Sequence, residues 1–80
     1  MTTNKDLTNE GRSDIALRAL EAGGYCTDPE ELSTSIYDLV ADLLHLARLN
    51  DVEPDYVIHM AQMHFDTEVE EEAIRLGIIT

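Results

Sequence analysis

Leu32, Ile36, Leu39, Val40, Leu43, Leu44 and Ala47 recur at intervals of three and four residues. A helix with 3.6 residues per turn gathers such positions into one stripe, whereas a strand alternates them between its two faces. The spacing therefore predicts a helix over about 32–50, with its stripe turned to a core. Asn50-Asp51 should end it, since Asn tolerates the left-handed conformation that closes many helices. No segment shows convincing two-residue alternation, so the expected class is all-α.

Two further helices are expected around this one. The first falls within about 7–22, with Ser13 or Asn9 as its cap and Ile15, Ala16, Ala19, Leu20 and Ala22 on a shared face. Gly23-Gly24 ends it, because glycine adopts the left-handed closing position without steric cost. Asp28-Pro29-Glu30-Glu31 reads either as the direct start of the second helix or as a short turn before Ser33 caps it.

The third helix covers about 54–75, opening at Pro54, where a missing N–H costs nothing. Val57, Ile58, Ala61 and Phe65 form its core face. Beyond Phe65 the phase slips, and Thr67-Glu68-Val69-Glu70 fits a capping box, so a kink or fresh start is expected near Thr67. The whole is a small bundle of three main helices in one domain, 1–80, with 1–6 and 77–80 frayed. The short connection makes helices two and three an antiparallel pair.

Charge is distributed unevenly. Of 17 acids and 5 bases, residues 1–26 hold four acids and three bases, and residues 27–80 hold thirteen and two. Such a field repels nucleic-acid phosphates and anionic lipid, and attracts a basic surface at a salt-dependent rate. No apolar run reaches the roughly 18 residues of a membrane span, and MTTNKDLTNEGRS lacks the apolar centre of a signal peptide. The lone Cys26 allows no intrachain disulfide and points to a reducing compartment. A soluble, cytoplasmic protein is the expectation.

Side chains that could carry chemistry are few. Asp38, Asp42 and His45 form a polar column on the second helix, opposite its apolar stripe. Leu49 extends that column, which implies that the face is covered. His64 borders the core face of the third helix and could meet Asp42 and His45 in a polar network. His59 and His64 point about 140° apart and cannot grip one ion together. Asp66, Glu68, Glu70, Glu71 and Glu72 make an acidic run suited to basic side chains. Tyr56, Met60 and Met63 form an apolar strip beside the core face, with pliable methionines that suit adaptable contacts. No phosphate loop, paired nucleophile and base, or zinc-type cysteine pattern is present, so neither cofactor nor metal is expected.

Asp38-Leu39, Asp42-Leu43 and His45, followed by Ala61, His64-Phe65 and Glu68, carry a further pattern. It resembles a group of small uncharacterised bacterial and phage proteins with a D-L-x-x-D-L-x-H segment and an A-x-x-H-[FY]-x-x-E segment. The resemblance spans about 30 of the 80 residues. It implies that Asp42, His45 and His64 link the second and third helices, and it implies no activity.

The expected function is that of a non-enzymatic protein-binding module, in the form of a phage or mobile-element inhibitor. Asp38, Asp42, Asp66, Glu68, Glu70, Glu71 and Glu72 would occupy a partner's basic, nucleic-acid-binding surface by mimicry of DNA. A homodimeric acidic adaptor or antidote, joined through Tyr56, Met60 and Met63, is the alternative. A metal-dependent hydrolase using Asp42, His45, His64 and Glu68 is the remote one.

Overall fold

The structure, a computed structural model, describes residues 8–77. It contains α1 (Asn9–Ala22), α2 (Leu32–Leu49) and α3 (Pro54–Arg75), with no strand among the described residues. The all-α, three-helix reading holds. The chain divides into two units, Met1–Val40 and Ala41–Thr80, whose boundary falls inside α2. Of the frayed ends expected at 1–6 and 77–80, all but Gly77 lie outside the described residues, and the Gly77 N–H donates to the Ile74 carbonyl at 3.0 Å.

In the first unit, Thr8 caps α1. Its extended backbone lets its hydroxyl accept from the Gly11 N–H at 3.0 Å, satisfying one of the helix's orphan donors. Asn9 and Ser13, the expected caps, lie inside the helix; the Asn9 side chain instead accepts from the Arg12 guanidinium at 2.9 Å. The far end closes as expected. Gly24 has φ +82°, the Gly24 N–H donates to Glu21 and the Tyr25 N–H to Leu20. That pair of bonds is a Schellman closure, which brings the residue after the glycine back over the last turn. Leu20 is only 3% exposed, and the Tyr25 ring is close enough to Gly23 that a Cβ there would stand 3.3 Å from it.

Between α1 and α2 the chain makes the short turn that was one of the two readings of Asp28-Pro29-Glu30-Glu31, with the Glu31 N–H donating to Asp28. Ser33 does not cap α2. The Glu31 carbonyl already accepts the first helical bond, from Ser35, and this places Ser33 within the first turn. The Ser35 side chain has a different task. Only 5% exposed, its hydroxyl donates at 2.6 Å to the Cys26 carbonyl and ties the connector to α2.

In the second unit, Pro54 opens α3, following an extended Glu53, the conformation that a residue before proline prefers. No fresh start occurs at Thr67: α3 is one helix of 22 residues, about 33 Å long. The reason is local. Residues 66–75 include neither Gly nor Pro, and the glutamates and alanine there favour continuation over the extended cap that Thr67 would have to adopt.

The apolar stripes, however, are only partly covered. Ile36, Val40 and Leu43 of α2, Ile15 of α1, and Ile58 and Phe65 of α3 are all exposed. Leu32, Leu39, Leu44 and Val57 are half-buried. Ala47 joins Leu20 as the second buried apolar residue, and no large side chain among the described residues is fully enclosed. Short helices bury only the arcs that meet a neighbour, and a chain of this size has little interior to share among three stripes.

Candidate docking groove

The end of α2 builds a surface groove within the second unit. Asp51 takes φ +61°. Its left-handed backbone lets the Val52 N–H return to the Ala47 carbonyl at 2.8 Å, while its own N–H reaches Arg48 at 3.4 Å. This is the Schellman pattern again, with Asp in the place that Asn50 was expected to fill. Asn50 serves in another way: its side-chain amide donates to the Leu46 carbonyl at 2.9 Å, satisfying an acceptor that the helix end leaves open.

The closure sets Val52 beside Ala47. Leu43, Leu46, Ala47 and Asn50 follow one another at helical spacing, and with Val52 and Val57 they line an apolar groove of about 460 Å³. One side is open to solvent: Leu43 is 48% and Leu46 61% exposed. A second depression, about 270 Å³, adjoins it through Val52 and is lined also by Arg48, Asp51, Glu53 and Pro54. Its lining thus includes two acids, Asp51 and Glu53, and one base, Arg48. An apolar seat with an acidic margin can hold a greasy side chain and, next to it, a cation.

Leu46 and Val52 escaped the sequence reading. Leu46 was legible, three residues after Leu43 on the same stripe. Val52 was not, because its position depends on the backbone reversal at Asp51.

The residues singled out from sequence fall as follows. Asp38 is half-buried, whereas Asp42 and His45 are exposed. Leu49, expected to mark a covered face, is 71% exposed. His45 and His64 are exposed, and neither imidazole makes a hydrogen bond among the described residues. Asp42, Glu68 and Glu72 each engage a partner within the chain. Asp66 accepts from Gln62 at 2.9 Å, and Glu70 and Glu71 are exposed. Glu68 and Glu72 are half-buried, on the face that Val57 begins. Tyr56 and Met63 are exposed and Met60 is half-buried.

Among the described residues, no three His, Cys, Asp or Glu side chains converge as metal ligands, and no helix is long and apolar enough to cross a membrane. No protein-family model, curated protein or solved structure matches the chain.

Proposed function

We propose that this chain is a non-enzymatic binding module that recognises a basic surface on another protein through contacts that are both apolar and acidic. The observation that supports this most directly is the coexistence of uncovered apolar side chains with a strongly negative sequence. Leu43, Leu46, Phe65, Val69 and Ile74 are exposed in a segment, 27–80, with thirteen acids and two bases. Exposed apolar side chains that adjoin, as Phe65 and Val69 do four residues apart on α3, suit an interaction surface. The surrounding charge selects partners of opposite sign and repels others.

Mimicry of DNA is the narrower form of this reading, for an inhibitor from a phage or mobile element. The exposed carboxylates of Asp66, Glu70 and Glu71 on one continuous helix support it. The interleaved Phe65, Val69 and Ile74 favour the broader form, since a phosphate-like face has no use for them. A cytoplasmic setting and the absence of a cofactor belong to the same proposal.

Capture from a cell lysate tests it. The immobilised chain should retain basic proteins that elute between low salt and about 0.5 M, where screening confines charge to contact range. Retention only of acidic or salt-insensitive proteins would count against it. Enrichment of nucleic-acid-binding proteins displaced by duplex DNA would single out the mimic.

A further inference from the structure

We infer that the groove lined by Leu43, Leu46, Ala47, Asn50, Val52 and Val57 is the seat of a basic amphipathic helix supplied by the partner. This rests on the function proposed above and specifies where, and by what chemistry, the partner is held.

The shape of the seat argues for a helix. A pocket for a small molecule encloses most of its guest, but this groove leaves one side in water, as the exposure of Leu43 and Leu46 shows. A guest with one apolar and one polar face matches that arrangement. A strand finds no purchase, since the described residues include no sheet edge to extend. An amphipathic helix laid in a groove presents anchors at intervals of three and four residues, the same spacing with which Leu43, Leu46, Ala47 and Asn50 line the wall.

Charge identifies the occupant. The depression that shares Val52 with the groove is lined by two acids, Asp51 and Glu53, and one base, Arg48. A lysine or arginine on the flank of the guest meets carboxylates there. A second copy of this chain would bring the same carboxylates face to face, because a two-fold contact pairs a surface with itself, and like charges so placed oppose association. The complementary occupant is therefore a basic helix and not another copy.

The test uses the full chain and a labelled peptide of about 18 residues, made of leucine and lysine, with leucines at helical spacing. A scrambled peptide of the same composition and a leucine–glutamate peptide of the same spacing serve as comparisons, with binding read by fluorescence anisotropy. The leucine–lysine helix should bind saturably, about tenfold or more tighter than its scramble. Leu46→Lys should weaken it at least tenfold, and the uncharged Leu46→Gln by several-fold, as expected for losing a buried leucine contact. The uncharged Leu49→Gln, outside the groove, should leave it unchanged. Leu46 is largely exposed, and circular dichroism verifies that its variants keep the helical fold.

Equal binding of the scramble, untouched by Leu46→Lys, overturns the groove and leaves the broader recognition of basic surfaces standing. Failure of both lysine peptides to bind below about 1 mM, a standard free energy near −4 kcal/mol, overturns both. Equal binding of the glutamate peptide removes the charge selection. A wild-type dimer in sedimentation that Leu46→Lys dissolves would give the groove to a second copy, against this proposal.

Discussion

At the scale of single residues, two positions hold local structure that the chain cannot easily supply otherwise. Ser35 is buried, and its hydroxyl satisfies the Cys26 carbonyl. Ser35→Ala removes the donor and leaves that acceptor to find another, which costs about 1–2 kcal/mol. Urea unfolding should show the loss; an unchanged midpoint would mean that water replaces the hydroxyl freely. Asp51 pays a conformational penalty to turn α2 towards Val52. Asp51→Val puts a β-branched side chain at positive φ and should cost about 1–3 kcal/mol, whereas Asp51→Asn should be close to neutral, since Asn shares the tolerance of Asp for that region. Equal effects from the two would show that charge, not backbone, makes Asp51 matter. Sequence patterns brought the helix end to within one residue of this position, because both Asn and Asp accept the left-handed form and only the bonds to Ala47 and Arg48 decide between them.

At the scale of elements, α3 separates two readings of the same residues. A threonine that caps a new helix loses about 0.5–2 kcal/mol on replacement by alanine. A threonine inside a continuous helix gains, because alanine gives up less side-chain freedom there, by about 0.5 kcal/mol. Thr67 is exposed and lies within Pro54–Arg75. Thr67→Ala should therefore raise both helicity and the urea midpoint, and a fall of about 1 kcal/mol would restore the fresh start at Thr67. The capping-box pattern was present in the sequence, but such a pattern fixes a boundary only where the chain also has cause to break. The helix limits were readable because Gly24 and Pro54 impose them by backbone geometry alone. Burial was less so: periodicity orients Ile36, Val40 and Leu43 to a common stripe, yet says nothing of whether a neighbour lies against it. The groove shares that limit, with Leu43 and Ala47 on the expected stripe and Val52 delivered by a turn.

At the scale of the molecule, the imbalance of charge acts on stability as well as on recognition. Seventeen acids against five bases leave a formal net charge of −12, and like charges drawn together in the folded chain oppose it. Salt shortens the reach of that repulsion, from about 10 Å at 0.1 M to about 3 Å at 1 M. Thermal unfolding should therefore move to higher temperature as sodium chloride is raised through this range. A fold held chiefly by ion pairs would respond in the opposite sense, because the same screening weakens attraction. Glu70 and Glu71, exposed on α3, allow the cause to be isolated. Glu70→Gln with Glu71→Gln removes two charges without altering the apolar contacts and should raise the low-salt melting temperature while flattening its salt dependence. If the double variant melts lower, or keeps the full salt slope, then the acidic run contributes attraction within the chain and not repulsion. The same variant keeps Leu46 and Val52 intact. It should therefore bind the leucine–lysine helix almost as the wild type does at high salt and more weakly at low salt, which separates the long-range pull of the acidic chain from the contact made in its groove.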